Sequence, residues 1–410
     1  MSAPSRTRFL MLALLAIGTM INYLDRTVLG IAAPSLTQEL GLTPAIMGVM
    51  FSAFSWAYAL GQIPGGVFLD RMGSKLTYFY AVTVWSLFTL LQSAATGFYS
   101  LIGFRLGLGI SEAPCFPVNS RVVAAWFPMQ ERARATAVYT VGEYLGLAGF
   151  GPMLFWITRR FGWRAMFLTV GAAGLLFGLA WWKLYREPPV APIAGPISAE
   201  ARAPFSWARV RQLLGFRQIW GVSLGQFGGN STLVFFLTWF PTYLAKERHL
   251  PWITAGWFSV LPFLAAAAGV LFGGWLSDAL LKRTGSPNIA RKLPMIVGLL
   301  GAAVILAANY VASDTVVIAI LSLAFFAQGM TGLGWTLIAD IAPHTLMGLT
   351  GGIFNFAANL AGILTPIVIG VLVGQTGSFA YALAYVSAAA LLGAIGYIFV
   401  LGDVKRIEMG

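Results

Sequence analysis

Twelve apolar runs, each close to the roughly 20 residues an α-helix needs to cross a bilayer, occupy most of this chain. They lie near 9–31, 46–69, 76–95, 98–118, 135–157, 163–184, 216–243, 253–276, 292–312, 315–338, 350–373 and 379–402. Soluble domains carry about 25% charged residues; here 10% are charged and 58% hydrophobic, more apolar surface than one soluble core can absorb. Hydrocarbon offers no water to satisfy backbone polar groups, so runs of this length must be helical. The fold class is therefore an all-α membrane protein of 12 transmembrane helices, its partner the lipid bilayer. Arg6 and Arg8 before the first run imitate a signal peptide. That run reaches spanning length without a small-residue cleavage site, so it is expected to stay as the first span.

The net charge of +12 raises the question of a nucleic-acid partner, and its placement answers it. With the N-terminus inside, nineteen of the 26 Lys and Arg residues fall in inside segments, five (Arg159, Arg160, Arg164, Lys246, Arg248) fall outside, and Arg26 and Arg105 lie within spans. This asymmetry obeys the positive-inside rule and predicts both termini in the cytoplasm of a multi-pass protein of the cell's inner (plasma) membrane, with no nucleic acid. The Arg159–Arg164 cluster runs against it locally. The single cysteine, Cys115, allows no disulfide framework within the chain and no cysteine zinc site. His249 and His344 stand far apart. No metal site, nucleophile cluster or P-loop appears, so neither an enzyme nor an ATP-driven pump is expected, and no cofactor.

The chain echoes itself. GGVFLDRMGSK (65–75) follows the second run and GGWLSDALLKR (273–283) the eighth, each placing an aspartate four residues after a glycine pair. AWFPMQERARA (125–135) and ADIAPHTLMGL (339–349) form a second echo. The predicted organisation is a six-helix bundle over 1–185, a hydrophilic linker over 186–215 whose proline-rich start is extended, and a second six-helix bundle over 216–410. Tandem six-span repeats are one layout of secondary transporters, with the substrate site between the halves near the midplane.

Gly66, Asp70, Arg71, Gly73 and Lys75 together resemble the loop signature of the major facilitator superfamily, and the resemblance covers nearly the whole chain. NYLDR (22–26), RLGLGISEAPCFP (105–117), WFPMQERARA (126–135) and GIFNFAANLAGILTPIVIG (352–370) resemble, more narrowly, its anion:cation symporter family. That family includes carriers of hexuronates, aldonates, aldarates and some aromatic acids.

Five ionisable residues sit inside spans of the first half: Asp25, Arg26, Arg105, Glu112 and Glu143. Each costs at least about 2.5–3.5 kcal/mol near the bilayer centre. Arg105 and Glu112, seven apart, share one helix face, with Gly109 between them expected to leave room. Asp25 and Arg26 diverge by about 100°, so one can face a cavity while the other faces a neighbouring helix. A guanidinium fork suits carboxylate recognition. The resemblance implies Arg26 and Arg105 at a substrate carboxylate, Asp25 and Glu112 as proton carriers, and Tyr23 as a hydrogen-bond donor. Glu143 stands where related sugar-acid carriers have glutamine; it offers another acceptor, another proton site, or a partner for a site arginine.

Fully ionised, these five side chains sum to −1, and a monoanionic substrate makes −2. Low dielectric and like charge favour neutralisation, so at least one proton is expected to enter with the anion; the resemblance leaves sodium as an alternative coupling ion. In the second half Asn355 and Asn359, four apart on one face, and Trp335 match substrate-contacting positions by resemblance. Gly332 and Gly334 stand where sugar-acid carriers have small hydroxyl residues, which suggests a less hydroxylated or bulkier substrate. Asp70, Arg71 and Arg121 form a candidate gate near the cytoplasmic face.

The function expected is proton-coupled import of a small organic anion, a sugar acid such as a hexuronate or aldonate, by alternating access. An aromatic carboxylate comes second and an efflux carrier of the same superfamily third. Carriers of this layout usually act as monomers.

Overall fold

The computed structural model describes residues 5–127, 129–187, 207–343 and 346–408. Much of the expected linker 186–215 thus lies outside the described residues, as do Pro128 and His344. Among the described residues there are helices and no strands. Span 1 is Ser5–Glu39. Spans 2 and 3 form one bent helix, Pro44–Gln92, turned at Gly73 (φ 74°). Spans 5 and 6 do the same over Met129–Leu184 at Gly162 (φ 83°). Both turns need the left-handed backbone that glycine adopts at little steric cost. Span 4 is broken: Phe98–Glu112 ends at Ala113, and Cys115–Trp126 resumes after Pro114, which has no N–H to continue the ladder.

In the second half, span 7 is Arg217–Thr238 and span 8 Trp252–Thr284. Span 9 runs Pro287–Ala302 and tightens over Ala303–Tyr310. Span 10 runs Asp314–Gly329, Met330–Leu333 and Gly334–Ile341. Spans 11 and 12 are Met347–Thr376 and Ala380–Ile395. Thr43 and Ser286 cap spans 2 and 9 by accepting from Ile46 N and Ile289 N, each with proline in the first helical turn, a favoured start. Among the described residues eight helical stretches are individually long and apolar enough to cross a membrane. The number falls below twelve partly because Ala135–Leu184 holds two spans in one 50-residue stretch, and partly because Pro114 divides span 4.

The contacts gather into two compact units. The first holds Met1–Ile193, Leu237–Val260 and Pro366–Gly377; the second holds Ala194–Phe236, Leu261–Thr365 and Ser378–Gly410. This division departs from 1–185 and 216–410, because two short segments of the second half pack in the first unit. There Trp239 Nε1 donates to Pro366 O at 3.2 Å, and its ring meets Phe51 edge-on at 5.2 Å.

Within the first unit the core joins all six N-terminal spans. Trp181 stacks between Tyr78 (4.2 Å) and Tyr185 (4.4 Å), tying span 3 to span 6. The outlying basic cluster has a local partner: Arg164 pairs with Glu39, which also accepts from Trp163 Nε1 at 2.6 Å. In the second unit Arg291 gathers Asp340 (2.9 Å), Ser277 (2.8 Å) and Asp278 (3.9 Å). Asp278 is the repeat counterpart of Asp70.

Candidate anion site

Span 1 presents its two charges to different neighbours, as their 100° offset requires. Asp25 turns to span 3, where Thr89 Oγ1 donates to Asp25 Oδ1 at 2.7 Å and the Trp85 indole adjoins it. Arg26 turns to spans 2 and 4. Its Nε donates to Glu112 Oε2 at 3.0 Å. Its guanidinium lies 4.8 Å from the Tyr23 ring, 4.7 Å from Phe54 and 5.0 Å from Tyr58. Three π-faces and one carboxylate thus replace the water that a guanidinium would keep at a surface.

Arg105 is buried, with its guanidinium 5.4 Å from Phe54. One ring therefore serves both arginines. Arg105 and Glu112 share a helix face, yet the carboxylate bonds across to Arg26 instead of back along its own helix. Gly109 leaves no room for a ligand. A Cβ there would stand 2.5 Å from Phe54 O, 2.8 Å from Ala57 Cβ and 3.0 Å from Tyr58 N. The glycine instead lets span 4 lie against span 2, which brings Phe54 and Tyr58 to the arginines.

Glu143, on span 5, is buried and adjoins the Tyr23 hydroxyl. The first unit thus assembles Tyr23, Asp25, Arg26, Arg105, Glu112 and Glu143. Several of their polar atoms have no protein partner: Arg26 Nη2, Arg105 Nε and Nη1, Asp25 Oδ2 and Glu112 Oε1. Buried N–H donors left open on two cations can take up an anion's oxygens. Phe54, Tyr58 and Thr89 were not singled out from sequence. The four-residue spacing of Phe54 and Tyr58 on span 2 was the available signal.

The second unit holds Trp335, Asn355 and Asn359. Trp335, 57% exposed, meets the Phe354 ring edge-on at 5.2 Å, beside Asn355. Asn359 Nδ2 donates back to Asn355 O at 3.0 Å, and Asn230 Nδ2 donates to Ala358 O at 2.6 Å. These amides bind helix backbone. Of the gate residues, Arg121 Nη1 donates to Leu69 O at 3.1 Å and Arg71 is exposed. The Asp70 side chain lies outside the described residues.

A helical membrane protein of two repeated halves, with a cluster of buried charges within its spans, defines the class of polytopic carriers. The sequence pattern of the Major Facilitator Superfamily matches residues 15–366, and the chain belongs to that superfamily; it is an integral membrane transporter, not an enzyme. It is 45% identical over 422 residues to a D-galactonate transporter of Escherichia coli O6:H1 (strain CFT073), covering 98% of each chain. It is 42% identical over 435 residues to a probable galactarate/D-glucarate transporter of Escherichia coli (strain K12), covering 100% of this chain and 97% of that one. Among solved structures, a D-xylose-proton symporter superposes with a TM-score of 0.76 at 17% identity, covering 97% of this chain and 98% of the other, a likeness of fold.

Proposed function

We propose that this carrier imports a sugar acid together with at least one proton. Arg26 and Arg105 bind the substrate carboxylate, Asp25 and Glu112 carry protons, and Tyr23 and Glu143 meet hydroxyl groups. Trp335, Asn355 and Asn359 close on the substrate from the second half. The observation that carries the reading is the pair of guanidiniums, Arg105 buried and Arg26 16% exposed, whose buried N–H donors at Arg26 Nη2 and at Arg105 Nε and Nη1 have no protein acceptor. An arriving carboxylate takes those donors and competes with Glu112 for Arg26. A proton on Glu112 weakens its hold on the arginine and offsets the negative charge that the substrate adds. The names of the relatives above support aldonates and aldarates ahead of aromatic acids.

The halves 1–185 and 216–410, joined by the linker 186–215, alternate in access, with Asp70, Arg71 and Arg121 biasing the closed cytoplasmic state. The protein acts as a monomer in the inner membrane with both termini in the cytoplasm. The test is uptake into proteoliposomes under an inward proton gradient, comparing D-galactonate, D-glucarate, D-glucuronate and benzoate. Sugar acids should accumulate, and a protonophore should abolish the accumulation. Accumulation that follows a sodium gradient, or that favours benzoate, contradicts the proposal.

A further inference from the structure

Beside Arg26 and Glu112, spans 1 and 4 carry further buried polar side chains that the anion site does not use. Thr19, Asn22 and Arg26 follow one another at intervals of three and four residues along one face of span 1. Glu112 and Asn119, seven apart, face them from the two pieces of span 4. Thr19, Asn22, Glu112 and Asn119 are all 0% exposed. At the level of Arg26, Glu112 bonds to Nε. One turn toward the N-terminus, the Asn22 amide adjoins the Glu112 carboxyl without closing a hydrogen bond to it. A further turn on, Asn119 Nδ2 donates to Thr19 Oγ1 at 3.1 Å. The next residue, Ser120, is exposed.

Helix adhesion alone does not account for this column. One Asn–Thr bond would join the two helices, and apolar residues would fill the remaining space at less cost. Instead Asn22 Nδ2 and Oδ1, Asn119 Oδ1 and Glu112 Oε1 are buried with no protein partner. Buried polar atoms in native proteins are satisfied, and water is the partner when protein is not. The unfilled donors and acceptors lie in order between the Glu112 carboxyl and the end of span 4.

We propose that Thr19, Asn22 and Asn119 line the route by which the proton carried on Glu112 leaves the site, toward the face that bears the N-terminus. The inference rests on the proton-coupled reading above. The carboxyl O–H of Glu112 breaks and its proton passes to a water held at Asn22. It moves on through water held at Asn119 and leaves past Ser120, toward the end of span 4. The amides keep their protons and hold the waters in line; the carboxylate left behind is free to pair with Arg26 again. The other charged or titratable groups facing Glu112 are Asp25 and Arg26 on span 1, Tyr58 on span 2, Tyr78 on span 3, and Arg105 and Cys115 on span 4. Cys115 and Tyr78 contact each other at 3.4 Å.

The experiment compares two modes of transport of labelled D-galactonate in proteoliposomes. Counterflow exchanges substrate without requiring the carrier to release its proton; accumulation driven by a pH gradient requires release on every turn. For Asn119→Leu, counterflow should stay within about twofold of wild type while gradient-driven uptake falls about tenfold or more, and Asn119→Ser should restore much of the loss. Thr19→Val, nearly isosteric, should show the same split in milder form and serves if the leucine variant fails to insert. Equal slowing of both modes in Thr19→Val and Asn119→Ser assigns the column to helix packing and overturns the proposal. Unchanged gradient-driven uptake in Asn119→Leu overturns the route alone. Wild-type accumulation that ignores the pH gradient overturns the proton-coupled reading and the route with it.

Discussion

Replacing Gly109 by alanine should cripple transport although it adds a single methyl group. The added Cβ would stand 2.5 Å from Phe54 O and 3.0 Å from Tyr58 N. Ordinary contact begins at 3.4 Å, so the methyl group falls about 0.9 Å short of fitting against the Phe54 carbonyl. Both atoms belong to backbone, which cannot swing aside as the end of a flexible side chain can. Spans 2 and 4 must part instead, and overpacking of this kind costs about 1–3 kcal/mol. The separation also reaches the site. Arg105 lies one turn before Gly109 and Glu112 one turn after, while Phe54 and Tyr58 lie on the opposing face. A shift near 0.9 Å lengthens the 3.0 Å bond from Arg26 to Glu112 and draws the rings off both guanidiniums. The melting temperature should fall, and uptake should fall several-fold or more because the site's contacts are drawn apart. Gly103, with nothing within 4 Å of its Cβ position, is the control on the same helix. Alanine there should be neutral or slightly stabilising, because alanine favours a helix over glycine by about 1 kcal/mol. Purified variants would be compared by thermal unfolding and by initial rates in proteoliposomes. Wild-type rates and stability in Gly109→Ala would refute the reasoning.

Other outcomes follow from the same geometry. Phe54→Leu removes the ring shared by Arg26 and Arg105 while keeping an apolar side chain; at about 0.5–2 kcal/mol per cation–π contact, thermal stability should drop and titration calorimetry should show weaker binding. Trp335→Ala, at a largely exposed ring, should weaken substrate binding several-fold and leave the melting temperature nearly unchanged. Arg291→Ala strips Asp340 and Ser277 of their shared donor and should cost about 1–3 kcal/mol of stability, seen in unfolding curves, with substrate affinity preserved. Arg121→Ala should slow transport more than it weakens binding; equal effects would count against a gating role.

The divergence of Asp25 and Arg26 and the shared face of Arg105 and Glu112 were legible in the sequence, because helical periodicity fixes them within one element. The break at Pro114 was not read from the sequence, where span 4 was drawn as one continuous run over 98–118. The pairing of Glu112 with Arg26 was not legible, since it depends on how two helices far apart in sequence face each other. Nor was the ring cage, because Phe and Tyr are ordinary occupants of apolar spans and only packing marks Phe54 and Tyr58. Gly109 was read as leaving room on the Arg105–Glu112 face; the same absence of a side chain serves a close helix crossing. The grouping of Leu237–Val260 and Pro366–Gly377 with the first unit has no counterpart in the repeat pattern, which reports ancestry of segments and not their contacts.

The most direct measurement is binding of D-galactonate by titration calorimetry to protein in which Arg26 and Arg105 are both replaced by glutamine, alongside each single variant. If buried guanidiniums hold the carboxylate, each single change should weaken binding at least tenfold and the double change should abolish it, while the protein stays folded. Binding of wild-type strength in the folded double variant would contradict the account.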